Sequence, residues 1–179
     1  MYELALFMLD LVQNALTAGA TYIKIWLDED FTRNRLTLTI ADNGCGMAPH
    51  TLTRALDPFM TTKTSRRKSI GLGLPFFRQL VESCGGGFKI KSRPGCGTVI
   101  TGWYPLDNVD QPPLGDWNET LRALIQANPH VRFYCAHRRN QRCVTFDTLP
   151  VRRALGPHAD ALWQSADMTT WFREQLSAS

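Results

Sequence analysis

Two short stretches of strict alternation constrain this chain most. In Tyr22–Leu27, the residues Ile23, Ile25 and Leu27 share one side; in Leu36–Ala41, Leu36, Leu38 and Ile40 do. A period of two means strands with one apolar face each, and Arg33-Asn34 marks the turn between them. Ahead of them, residues 3–18 read as a helix. Leu4, Phe7, Met8, Leu11, Val12, Ala15 and Leu16 fall on one broad arc, and Gly19 stops it. Further on, the pattern predicts a short helix over 50–56, a loop over 57–69 and a helix entered at Pro75 as its first position and running to Ser83. Strands follow at 88–92 and 98–104. A polar linker around Leu106–Gly115 carries Pro112-Pro113. The tail reads as a helix (116–127), a hairpin (131–135 with 142–147) and short helices near 150–155 and 167–176.

Composition narrows the class. At 44% apolar and 20% charged residues, the chain is an ordinary globular sequence. No apolar run approaches the ~18 residues of a membrane span, and the acidic start (Glu3, Asp10) does not read as a signal peptide. Cys45, Cys84, Cys96, Cys135 and Cys143 form no CxxC, so free thiols and a cytoplasmic location are expected. The net charge of +4 permits an anionic ligand without requiring nucleic acid. Residues 109–179 carry 8 basic and 7 acidic groups, so the tail that holds the arginine-rich hairpin is nearly balanced and nucleic acid is not the expected partner. GxxxxGK[ST], GxGxxG, HExxH and GxSxG are all absent, which excludes the P-loop, the dinucleotide fingerprint and two hydrolase signatures.

Four elements carry candidate chemistry. On the first helix, Asn14 falls about 40° to one side of Asp10 and Thr17 about 20° to the other, so three polar groups share one edge of an apolar helix. An Asn oxygen suits Mg²⁺, which keeps water and phosphate ligands, and Asp10 could orient or deprotonate a water. Next, Asp42-Asn43-Gly44-Cys45-Gly46-Met47 ends the second strand, with Asp42 on the apolar parity. A carboxylate there needs a donor partner. The adenine amine is one; guanine presents a carbonyl at that place. Gly44 and Gly46 allow close approach of a flat base. Third, Gly71-Leu72-Gly73-Leu74-Pro75 enters a helix whose first N–H groups favour phosphate, preceded by Lys63, Arg66, Arg67 and Lys68. Fourth, Gly95-Cys96-Gly97-Thr98 opens a strand and offers the Thr98 hydroxyl. Each piece also has a plain reading as surface residues or a tight turn.

In order and spacing, the four elements resemble the GHKL ATPase superfamily of gyrase, the ninety-kilodalton heat-shock chaperone, histidine kinases and MutL. The resemblance covers residues 3–105. Asp10–Ala15 resembles the N box, Asp42–Met47 the G1 box, Gly71–Leu74 the G2 box and Gly95–Thr98 the final glycine box. Asp57-Pro58-Phe59-Met60-Thr61-Thr62-Lys63 resembles the box that opens the histidine-kinase lid, and the whole looks most like a histidine-kinase catalytic domain. The resemblance implies an α+β fold, a two-layer α/β sandwich with ATP between helices and sheet and a small C-terminal α/β appendage. The expected division is 1–108 for ATP binding and 109–179 for an extension of unassigned role. Asn14 becomes the Mg²⁺ ligand and Asp42 the adenine reader. Gly44, Gly46, Met47, Lys63, Gly71, Leu72, Gly73, Leu74 and Thr98 join the ATP site. Asp10 stands where many members carry Glu as the general base, one methylene shorter. No phosphoacceptor histidine helix is expected in this chain. The implied function is Mg-ATP binding with hydrolysis, or transfer of the γ-phosphate to a partner protein; the alternative is a non-catalytic ATP-dependent switch.

Overall fold

The computed structural model describes residues 3–58 and 73–177. Helix α1 (Leu4–Thr17) leads into strands β1 (Tyr22–Asp30) and β2 (Arg35–Asp42). Helices α2 (Pro49–Ala55) and α3 (Gly73–Ser83) follow, then β3 (Gly87–Arg93) and β4 (Gly97–Tyr104). The remainder is α4 (Trp117–Ala127), β5 (Arg132–Arg139), β6 (Arg142–Asp147), α5 (Thr148–Leu155), α6 (Ala159–Trp163) and α7 (Ala166–Ser177). Pro75 is the third residue of α3 rather than its first, because Gly73 and Leu74 are already helical.

The strands form one six-stranded sheet in the order β3-β4-β2-β1-β5-β6. All neighbours are antiparallel except β1 and β5, where Tyr22 pairs Arg132 and Ile25 pairs Cys135. The alternation in the sequence is the alternation of this sheet. Ile23, Ile25, Leu27, Leu36, Leu38 and Ile40 are buried on one face, and Leu4, Met8, Leu11 and Val12 of α1 and Phe77 and Val81 of α3 pack into the same core. Helices on one face of one sheet make the two-layer sandwich. The turn between β1 and β2 is made by Asn34 in the left-handed region, a conformation asparagine tolerates better than most residues.

The tail extends that sheet. Strand β5 runs beside β1, and Phe133 and Cys135 continue its buried face outward under α4, whose Leu121, Leu124 and Ile125 are buried. An aromatic group closes this end: Trp163 and Phe172 rings lie 5.1 Å apart, Phe146 and Phe172 5.8 Å, and Trp163 Nε1 donates to the Ile125 carbonyl at 3.0 Å. The stretch read as a linker is a strap. The carbonyls of Pro113 and Leu114 accept the first N–H groups of α1, from Leu4 at 2.9 Å and Ala5 at 3.1 Å. This caps a helix start that has no capping side chain of its own.

Two glycines let the site-bearing turns meet. Gly97 has φ +83°, and a Cβ on it would lie 1.9 Å from the Asp42 carbonyl oxygen. Gly46 has φ +64°, and its Cβ would lie 2.0 Å from the Arg93 carbonyl oxygen. Gly97→Ala is expected to destabilise the fold by at least about 2 kcal/mol, since both backbone strain and a backbone clash oppose the methyl; urea unfolding followed by circular dichroism measures it.

Candidate functional site

A cavity of about 600 Å³ opens between α1, α2, the start of α3 and the ends of β2 and β4. Of the residues expected from the sequence, Asn14, Asp42, Gly46, Met47, Leu74 and Thr98 line it. Leu11, Ala15, Ala55 and Ile100 supply apolar walls. The chemistry is an apolar slot with a carboxylate at one end and an amide on the helix edge, the arrangement that suits a flat heterocycle carrying a polar edge.

Asp42 is brought there by parity: the last residue of β2 faces the helix layer. Its Oδ1 accepts the Gly44 N–H at 2.8 Å, and the Thr98 N–H also bonds the carboxylate. Burial raises its pKa, and these two backbone donors partly offset the rise. Gly44 itself is buried and serves by holding Asp42. A Cβ on it would meet Ala18 Cβ at 2.9 Å, so this turn packs against the end of α1.

Helix α1 places Asn14 and Thr17 on the cavity and Asp10 at its margin. Asp10 packs against α3. A Cβ on Gly73 would come 2.6 Å from Asp10 Cβ, so glycine there lets the two helices touch. Burial raises the Asp10 pKa. Neither Asp10 nor Gly73 is a lining residue. Lys63, Gly71 and Leu72 lie outside the described residues, as do Phe59–Thr62 of the lid-opening box.

Ser92 escaped the sequence analysis. Its Oγ accepts the Met47 N–H at 2.8 Å, donates to the Gly97 carbonyl at 3.2 Å and lies 2.9 Å from Thr98 Oγ1. One hydroxyl therefore fixes both glycine turns behind the cavity. Its signal was available: Ser92 has the parity of Phe88 and Ile90, a hydroxyl on a strand's apolar side. Asn43 has a structural job. Its Oδ1 accepts the N–H groups of Thr21 and Tyr22 at 2.9 and 2.8 Å, joining the ends of β1 and β2. Cys45, Thr51 and Pro94 also line the cavity, and their residue types carried no advance signal.

Residues 3–108 match the family described as histidine kinase-, DNA gyrase B-, and HSP90-like ATPase. The match spans more than half of the chain, and the chain belongs to this family. It is 37% identical over 99 residues to the sensor protein kinase FleS of Pseudomonas aeruginosa, covering 55% of this chain and 24% of that protein. It is 38% identical over 73 residues to the sensor histidine kinase ZraS of Salmonella typhimurium, covering 41% and 15%. The chain thus spans less than a quarter of these relatives' lengths. Among solved structures, the Aquifex aeolicus MutL ATPase domain complexed with ADP superposes with a TM-score of 0.53 at 14% identity, covering 78% of this chain and 62% of that one. At that identity the likeness is one of fold. The fold expected from the sequence, an α+β two-layer sandwich, agrees with it.

Asp42→Asn separates the roles of this carboxylate. One oxygen must still accept from Gly44, so the amide nitrogen would face the cavity and oppose a ligand donor. Adenine-nucleotide affinity is expected to fall by roughly tenfold or more, the cost of an unmatched buried donor. The raised pKa means the folded state holds the Asp42 proton more tightly than the unfolded chain does. Its ionisation therefore costs stability as pH rises from the unfolded value through the higher folded one, and Asp42→Asn is expected to retain or raise the thermal midpoint at neutral pH. Calorimetric titration and thermal melts of the same variant measure both effects.

Proposed function

We propose that this chain is a Mg-ATP-binding module that hydrolyses ATP or passes its γ-phosphate to a partner protein. The observation that carries the reading is the cavity, where Asp42, Asn14 and Thr98 converge on one apolar slot. Family membership and the ADP complex of the MutL structural relative support it. Asp42 would accept the exocyclic amine of adenine. Gly46 and Met47 would lie along the base, with Thr98 behind it. Leu74 and Gly73 would bring the first turn of α3 toward the phosphates, together with Gly71, Leu72 and Lys63.

The donor set fits magnesium. Among the described residues no cluster of three His, Cys, Asp or Glu is present, so an ion would take Asn14 Oδ1 and fill its shell with phosphate oxygens and waters. Bound there, it would neutralise charge on the phosphates. Asp10 would orient the attacking group and take its proton, and its raised pKa suits a group that must exchange protons. We assign residues 1–108 to this chemistry and 109–179 to an added unit that widens the sheet. Among the described residues no helix is long and apolar enough to cross a membrane.

A second reading is favoured by one observation. Asp10 lies beside the cavity without lining it, and it is shorter than glutamate. On that reading ATP binds and switches a partner surface without turnover. Phosphate release decides between the two. If Asp10 is the base, Asp10→Asn lowers turnover on the order of 10²-fold or more, the usual contribution of a positioned base, while ATP affinity stays within about threefold. Asn14→Ala is expected to abolish magnesium-dependent release. Release from wild type that ignores both substitutions overturns these assignments, and ATP binding without release supports the switch.

A further inference from the structure

The sheet has a second face, and among the described residues no helix covers its centre. Side chains of the outward parity stand there in two neighbouring rows across the strands. One row runs Tyr134, Lys24, Ala41, Val99, Lys91; the next runs Ala136, Trp26, Thr39, Thr101, Lys89. Trp26 is 45% exposed and Val99 40%, large apolar exposures for the middle strands of a sheet. Trp26 stands between small neighbours, Thr39 and Ala136, so its ring is not buried under other side chains. Trp103 lies one row further, with the Arg35 guanidinium 4.8 Å from its ring centroid.

The charge on this face is one-sided. Its carboxylates are already engaged: Asp28 by Arg138, Asp147 by Arg132, and Asp30 by Arg33 at 3.7 Å. Lys24, Arg35, Lys89, Lys91 and Arg93 share the outward parity, and among the described residues none has a carboxylate within ion-pair distance. Lys24 instead sits 5.3 Å from the Tyr22 ring centroid. In the second row Trp26 and Lys89 are separated by three strand spacings, about 14 Å.

We propose that this open sheet face is a docking surface for single-stranded nucleic acid. The exposed Trp26 ring on a central strand gives a stacking platform for an unpaired base, and flanking lysines track the phosphates. A purely acidic peptide would use the lysines but leave Trp26 without a role. A duplex hides its base faces and would likewise leave Trp26 unused. The near balance of charge in the composition does not bear on this, because the sheet gathers its uncompensated cations onto one side. The surface lies on the opposite side of the sheet from the nucleotide cavity, so the two functions are separable.

The test is fluorescence anisotropy of a short labelled oligo-dT titrated with the full chain at low salt. Binding that weakens steeply with salt is expected. Trp26→Ala is expected to weaken it by about tenfold, the scale of one lost stacking contact, and the double variant Lys89→Glu, Lys91→Glu by more than tenfold. Circular dichroism and ATP titration should match wild type in all variants, because none of these residues lines the cavity. Trp26→Phe, which keeps a ring, should recover most of the affinity. No binding to oligo-dT overturns the proposal. So does equal binding of poly-glutamate, equal binding of duplex, or indifference to Trp26→Ala.

Discussion

The site depends on one backbone contact, the meeting of the turn after β2 with the turn before β4. Gly95 donates its N–H to the Cys45 carbonyl at 2.8 Å, Gly97 approaches the Asp42 carbonyl, and Gly46 approaches that of Arg93. Main chain lies against main chain, with no room for a side chain at Gly46 or Gly97. Ser92 ties the two turns from behind through Met47, Gly97 and Thr98. Only because they meet do Asp42 and Thr98, far apart in sequence, face the same cavity. Both turns are held by hydrogen bonds and sterics rather than by apolar packing, so the cavity wall is stiff where a flat ligand would rest.

Against this rigid wall stands a carboxylate in an environment that does not favour its charge. Asp42 is partly removed from water, and two backbone N–H groups compensate only in part. Burial likewise raises the pKa of Asp10. Groups held in such a state are poorly justified as contributors to stability and better justified as receivers of a ligand's donors or protons. The surrounding core, with Leu11, Ala15 and Ile100 at the cavity and Ile23, Ile25 and Leu38 behind them, bears that cost.

The C-terminal extension is built into the same sheet as the N-terminal part. Its strand β5 joins β1 in parallel, and its strap caps α1, the helix that carries Asn14. The tail is therefore joined to the N-terminal helix by two hydrogen bonds and a shared sheet. The same extension widens the outer face by Tyr134 and Arg132, so the sheet presents one layer of helices and one open platform.

Much of this was legible in the residues themselves. The alternation of Ile23, Ile25, Leu27 and of Leu36, Leu38, Ile40 marked β1 and β2 and their buried side, because a strand's period is local. The edge of α1 bearing Asn14 and Thr17, and the parity of Asp42, followed from the same local geometry. The ends of α3 and of β5 were less well placed, since Pro75 and the Arg138-Arg139 pair mark positions an element can run through as well as stop at. Ser92 was missed because its role is to bridge two turns that only folding brings together. The strap at Pro113 and Leu114 was read as a linker because a backbone carbonyl that caps a distant helix leaves no mark in residue type. Composition reported only a net charge of +4, yet the pleat sorts alternate residues to opposite faces and, among the described residues, leaves five cations without an ion-pair partner on one of them. The residues themselves determined which segments are strands and helices and which side of each is apolar. Tertiary structure alone decided which turns touch, which charges remain unpaired and which rings stay exposed, because those depend on pairing between strands far apart in the chain.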